Sequence, residues 1–451
     1  MRLFMGLALL CAASCADRAK HSVALYEAGD YAGAARAADE GLAAHPSDPA
    51  LWGMRVRAAL ALGDADGVAK AYAAYATERG DDDRALLRDL ADATIGQALA
   101  SPSARLQLRA ISAVEDLELE DLANEVFEHV NSDDDRVAAA AAVAVLHGFG
   151  DAPKVAKQML RSDNAEARRI ALEGVAKKLG KITEGDLELA AGDGDARVRA
   201  AALHWLGMLR DADAVEVCTQ RLHDPDATVR AAAASALARI GLGNLEAAGR
   251  LAAGDKELGV RLAAIELYSA AHADGALAQL ATEDRDARVA LAAALAVKKT
   301  RPELASPAIA RAAADADWTT RAAAANECIA AVGKDAALPI AQRLAQDKEL
   351  AVRLAAARVL VRAGDSEHAK AILRNEHDLD ALADLAALDG EGLDELSKAV
   401  RDPHRTPDQR AQAAAAHVTA HHVTAGLVAA LADPNGLVRI EAATALGRLA
   451  K

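Results

Sequence analysis

Apolar residues recur along this chain at the spacing of one face of a helix, and short polar clusters mark the starts of the helices. The clearest copy runs Asp224-Pro225-Asp226-Ala227-Thr228-Val229-Arg230, followed by Ala233, Ala236 and Leu237. Val229, Ala233, Ala236 and Leu237 fall on one stripe of a 3.6-residue helix. The cluster echoes toward the C-terminus: Arg168, Arg199, Arg230 and Arg261 each stand 31 residues after the last, Arg321 and Arg353 are 32 apart, and Arg439 belongs to the final copy. Weaker copies surround Arg109, Ala138, Ala290, Asp384 and Arg410, giving about eleven units from residue 101 to 451. Upstream, Gly29-Asp30-Tyr31, Ala34, Leu42 and Pro46 return 34 residues later as Gly63-Asp64-Ala65, Val68 and Ala76, with Trp52 opening the second copy. A further helix is expected from about Asp83 to Ala98. Periods of this length mean stacked helical hairpins, each burying its apolar face on its neighbours. Glu376-His377-Asp378 and Gly390-Glu391-Gly392 interrupt the pattern between Ala363 and Pro407, where the stack is expected to bend or loosen.

Composition supports helices over strands. Of the 451 residues 52% are hydrophobic but only 2% aromatic, so the interior is built from alanine, leucine and valine. Alanine is the best helix former, and small side chains let helix axes approach closely. The expected fold class is therefore all-α.

The 34-residue unit resembles tetratricopeptide repeats, over residues 17–98 with the closing helix included, and the 31-residue unit resembles HEAT repeats of the phycobilisome-lyase type, over residues 101–451. The resemblance implies an α-α superhelix, a HEAT-like solenoid preceded by a short TPR-like segment. An aspartate stands six residues before the arginine in most copies: Asp163 and Arg169, Asp193 and Arg199, Asp224 and Arg230, Asp255 and Arg261, Asp315 and Arg321, Asp347 and Arg353, Asp433 and Arg439. Asp224-Pro225 and Asp433-Pro434 are expected as N-cap followed by the first helical residue, and Asp402-Pro403 as a further cap. In HEAT arrays such an arginine reaches the aspartate of a neighbouring unit, which implies a structural ladder. A motif that recurs with the fold period is architecture, whereas a catalytic site is normally single.

Met1, Arg2 and an apolar run from Leu3 to Leu10 lead to Cys11-Ala12-Ala13-Ser14-Cys15, with Asp17, Arg18 and Lys20 beginning the polar sequence. The run is too short to span a bilayer. Small residues before a cysteine resemble a bacterial lipoprotein signal, departing from it at Ala12 where that family prefers leucine. Residues 1–14 are then the signal and Cys15 the acylated mature N-terminus. That reading implies attachment to the periplasmic side of the inner or outer membrane; ordinary cleavage to a secreted or periplasmic soluble protein, and a cytoplasmic chain, are the alternatives.

Lys and Arg number 52 against 67 Asp and Glu, a net charge of −15, which opposes attraction to a phosphate backbone and makes nucleic acid an unexpected partner. No phosphate-binding loop is present: Gly180-Lys181-Ile182 and Gly333-Lys334-Asp335 lack its spacing and hydroxyl. None of the 13 histidines precedes a glutamate, unlike the iron-binding HEAT hydroxylases. Lys177, Lys178 and Lys181 read as a solvated helix end. His417 and His421 share a helix face but have no acidic or thiol neighbour, so they read as helix-end residues and no metal is expected. Trp205 and Trp318 read as core or groove-edge packing, and Cys218 and Cys328 as buried small hydrophobes. Neither cofactor nor small-molecule substrate is expected. The function expected is a non-catalytic protein-binding scaffold of the cell envelope, with the concave row of second helices as its face: Glu216, Gln220, Glu246, Arg250, Gln279, Arg311, Gln342 and Arg343. The alternative is an enzyme or enzyme subunit of the bilin-lyase-like HEAT class.

Overall fold

A computed structural model of the chain describes residues 18–451, and among these every regular element is helical. The expected signal sequence and the expected lipidation position, Cys15, lie outside the described residues. Helices begin where the polar clusters stand, because short acidic or amide side chains accept the otherwise unpaired amides of the first turn. Asp30, Asp48, Asp64 and Asp83 cap the helices Tyr31–Ala44, Pro49–Ala61, Ala65–Arg79 and Arg84–Leu99. Gly29 and Gly63 take φ of 81° and 66° in the turns just before Asp30 and Asp64, a left-handed backbone that glycine adopts without a Cβ clash.

Contacts divide the chain into two compact units, Val126–Glu376 and a unit joining the chain up to Glu125 with His377–Lys451. Neither boundary coincides with the change of repeat type expected near residue 100; the second falls inside the irregular stretch between Ala363 and Pro407.

In Val126–Glu376 long and short helices alternate. The long ones include Ala165–Leu179, Ala196–Leu209, Ala227–Ile240, Leu258–Ala270, Trp318–Val332 and Leu350–Ala363. Between them lie shorter helices such as Ala152–Met159, Glu184–Ala190, Val215–Arg221 and Leu245–Ala253. Successive long helices pack directly on one another. At Gly207 an added Cβ would sit 2.7 Å from the Ala236 Cα, so backbone meets backbone there. The shared core is aliphatic and small: Val198, Ala202, Leu203, Leu206, Val229, Ala233, Leu237, Val260 and Ala264 are all buried. Such packing needs alanine and glycine, which explains why so apolar a chain carries so few aromatics.

In the other unit the final helix, Gly436–Leu449, is buried through Val438, Ile440, Ala442, Ala443, Ala445 and Leu446. It packs against Arg84–Leu99 and Ala104–Leu117 from the other end of the sequence. A Cβ on Gly447 would meet Leu117 Cδ1 at 2.5 Å, and one on Gly436 would meet Leu106 Cδ1 at 2.6 Å. Arg448 pairs with Asp116 at 2.7 Å, Arg109 pairs with Glu441, and Arg401 pairs with Asp66. The last repeat therefore buries its outer side against the chain's own beginning.

Candidate functional site

The polar feature that recurs with the repeat is a set of arginine–carboxylate rungs in which the arginine reaches the aspartate of the next unit, as the resemblance implies, and not the side chain of the aspartate six residues behind it. Each rung arginine sits four residues after its helix N-cap. In Arg168, Arg199, Arg230, Arg321 and Arg353 Nη1 donates backward to two main-chain carbonyls of its own loop, and Nε and Nη2 form a fork on a carboxylate of the next repeat. Arg199 donates to Asp193 O at 2.9 Å and to Asp224 Oδ2 and Oδ1 at 3.0 and 2.8 Å. Arg230 repeats this on Asp224 O and Asp255, and Arg321 on Asp315 O and Asp347. The partner lies 25 or 26 residues ahead in these rungs; the aspartate six residues behind contributes only its backbone.

The carboxylate has a second task. Asp224 Oδ1 accepts the Asp226 amide at 3.0 Å, and Asp226, not Asp224, caps the helix by accepting from Thr228 and Val229. Asn435 rather than Asp433 caps the last helix, and Thr406 rather than Asp402 caps Pro407–Ala420 through a reciprocal pair with Gln409. The expected Asp-Pro caps are thus displaced by two to four residues. Proline leaves the aspartate free for the neighbouring arginine because it has no amide to satisfy.

Asp163 and Arg169 do not form a rung either. Arg169 turns along its own helix to Glu166 and Glu173, while Arg168 makes the fork on Asp193 at 2.8 and 2.7 Å. The 31-residue period selects Arg168 and the six-residue spacing misselects its neighbour. Glu376 takes the fork of Arg353, and Arg410, from one of the weaker copies, forms a buried fork on Asp433 at 2.9 and 3.0 Å. Arg439 grips Asp433 O and Pro434 O. Asp315 receives no arginine because Ala290 occupies the rung position of the preceding repeat. Next to that gap Arg261 is looser, with Nε 3.3 Å from Asp284 and Nη2 3.7 Å from Asp286.

These groups are held charged. The Arg230 fork keeps the Asp255 carboxyl below its usual range, and Arg321 does the same for Asp347. For Asp224, burial pushes upward and the Arg199 fork with the Asp226 amide more than offsets it. Two charges at about a tenth of their free exposure, each with its hydrogen bonds satisfied, form a structural tie; loss of one partner leaves the other stranded.

His417 and His421 are not a chelating pair. His417 is fully buried, Nδ1 bonding Ala413 O at 2.8 Å and Nε2 bonding Thr424 Oγ1 at 2.9 Å, so both ring nitrogens are occupied. His421 ends the helix with φ 56°. Lys178 is not simply solvated: its Nζ donates to Val143 O and Ala144 O at 2.7 and 2.8 Å, satisfying carbonyls at the end of Asp135–Ala144. Trp318 is 45% exposed at the first position of its helix, whereas Trp205 packs on the core. Cys218 and Cys328 are buried, and burial, with Asp211 nearby, pushes the Cys218 thiol up to about 12. No group of three or more side chains able to hold a metal occurs among the described residues.

The residues expected on a binding face do share one layer, the short helices and their neighbours, but most of them are engaged within the chain. Gln220 bonds Glu216, Arg250 pairs with Glu246 at 3.7 Å, Gln279 bonds Glu283, Arg311 donates to Arg285 O, and Gln342 reaches Asp365. Arg343 is exposed. Grooves open between successive short helices. One, about 1160 Å³, lies between Ala152–Met159 and Glu184–Ala190 and is bordered by Lys154, Lys157, Arg161, Asp186 and Leu189. A second, about 470 Å³, lies between Leu245–Ala253 and Asp274–Glu283. Lys154, Lys157 and Arg161 were readable as three cations at helical spacing, but nothing in their types marks a groove.

Stacked helical hairpins tied by arginine–carboxylate rungs define a helical-repeat protein. Residues 184–269 match the HEAT repeats family, and the fold is an all-α superhelix of HEAT-like hairpins. No curated protein matches the chain. Among solved structures, the complex of CpcE and CpcF of phycocyanin lyase from Nostoc sp. PCC7120 is similar at 19% identity over 59% of this chain and 86% of that one, with a TM-score of 0.26. Kap121p is similar at 14% identity and a TM-score of 0.39; the match covers 86% of this chain, which spans about half the length of Kap121p, 48%. An engineered protein matches at 18% identity over 88% of this chain and 98% of its own, with a TM-score of 0.27.

Proposed function

We propose that the chain is a protein-binding scaffold, acting through the layer of short helices and the grooves between them. The observation that carries this reading is the division of labour between layers. The recurring arginines and carboxylates are spent on each other and on loop carbonyls, whereas the short helices leave grooves between them edged by exposed charge. A repeat array offers a long surface at fixed spacing, which suits recognition of an extended or helical partner. The proposal extends to a TPR-like character for the N-terminal helices and to a place at the bacterial cell envelope, with Cys15 as a lipid anchor. Several acyl chains on one cysteine exceed the two-signal requirement for stable membrane attachment.

A photo-crosslinking residue placed at Gln220 or Arg343 in the full-length protein tests the face. Crosslinks to a discrete protein from both positions, absent when the group is placed at buried Ala233, are expected. Crosslinks from neither would overturn the scaffold reading. Labelling with a fatty-acid analogue tests the anchor separately: incorporation into wild type and not into Cys15→Ser is expected, and equal incorporation removes it.

A further inference from the structure

We infer that the groove between Ala152–Met159 and Glu184–Ala190 binds an acidic segment of a protein partner carrying apolar side chains, held by Lys154, Lys157 and Arg161. The inference rests on the protein-scaffold reading and names the partner chemistry of one part of that face.

Lys154, Lys157 and Arg161 stand at i, i+3 and i+7 on the short helix and its C-terminal turn, so they form one stripe, and all three are exposed. None has an ion-pair or side-chain hydrogen-bond partner among the described residues. In the same layer Arg250 and Arg311, by contrast, both have intramolecular partners. In a chain of net charge −15, these three adjacent unpaired cations give the groove one basic edge, while Asp135, Asp163 and Asp186 line the rest of it. Charge complementarity then asks for carboxylates on the occupant.

The rest of the lining narrows the class. Met159, Leu160, Leu172 and Val198 give the groove an apolar interior, and Leu189, 73% exposed, stands on the opposite wall. A segment alternating acidic and apolar side chains places the apolar ones inside and the carboxylates on the basic edge. Asp135, Asp163 and Asp186 line the rest of the groove, so the occupant's carboxylates are confined to the basic edge, and a backbone carrying a phosphate at every unit is disfavoured. Arg168 and Asp193 close the end of the groove but are already forked together, so they contribute shape more than free charge.

The test uses the full-length protein and a fluorescein-labelled twelve-residue peptide of alternating Glu and Leu, read by anisotropy, with the Lys–Leu peptide of the same pattern and a labelled DNA duplex as controls. The Glu–Leu peptide is expected to bind at least tenfold more tightly than either control. Lys154→Glu with Lys157→Glu and Arg161→Glu should weaken it at least tenfold without shifting the melting temperature, while Lys299→Glu, at an exposed position outside both grooves, leaves it unchanged. Single Lys157→Glu serves if the triple variant melts early, with a loss of threefold or more. Equal binding of both peptides, preferred binding of DNA, or binding unaffected by the charge reversals would overturn the inference. Those results leave the crosslinks from Gln220 and Arg343 intact if the scaffold reading alone is right.

Discussion

A rung arginine combines two jobs in one side chain. Nη1 of Arg230 holds two carbonyls of the loop it leaves, and the remaining fork holds the next loop's Asp255. Lysine cannot replace it, because a single ammonium cannot span two carbonyls and a bidentate carboxylate together. Arg321→Lys should therefore lose about 1–3 kcal/mol in urea unfolding despite retaining its charge; no change would mean that charge alone suffices. The buried His417 predicts a pH dependence. Burial lowers its pKa from 6.5, so below that pH the unfolded chain takes a proton that the folded chain resists. Stability should fall on acidification below about 6.5, by at most about 1.4 kcal/mol per pH unit from this group. His417→Gln should flatten that part of the profile, and an unchanged profile would exclude it as the cause. A second decline is expected below 3.8, where Asp255 and Asp347, held low by their arginines, must be protonated on unfolding.

At the scale of the helix, the sequence revealed where elements start but not which polar residue starts them. Asp224 and Asp226 are both acidic and both precede the apolar stripe; only the neighbouring repeat's Arg199 tells them apart, and that contact lies outside any local pattern. The same reason explains Arg168 against Arg169: adjacent arginines differ by 100° around the helix, and one of the two directions meets Asp193. The short helices were legible as elements, whereas the groove beside Lys154 is a packing outcome. The two roles predict an order. Asp226→Ala, losing a cap, should lower unfolding stability by about 1 kcal/mol. Asp224→Ala, stranding the Arg199 guanidinium, should lower it by about 3–5 kcal/mol. The reverse order in chemical denaturation would restore Asp224 as the cap.

On the scale of the molecule, the all-helical repeat class was legible because the hydrophobic period, the alanine content and the polar clusters agree. The partition into units was not. Nothing in a local pattern announces that Gly436–Leu449 buries Gly447 against Leu117, since this depends on two segments more than three hundred residues apart. The irregular stretch did mark one of the two unit boundaries, at Glu376. If the chain ends fold as one unit, crowding one end must loosen the other. Gly447→Val should cost about 1–3 kcal/mol by overpacking, and hydrogen exchange should quicken in Ala104–Leu117 as well as in Gly436–Leu449. Faster exchange confined to the last helix would refute the coupling.

The recurring arginines and carboxylates are the ties of the stack, and the proposal that the short helices recognise a partner depends on this. The measurement that bears on it most directly is the urea-unfolding free energy of Arg230→Ala against wild type. Removing this arginine strands Asp255 at 12% side-chain exposure and frees the carbonyls of Asp224 and Pro225. A loss of about 3–5 kcal/mol is predicted, whereas a variant as stable as wild type would contradict the account.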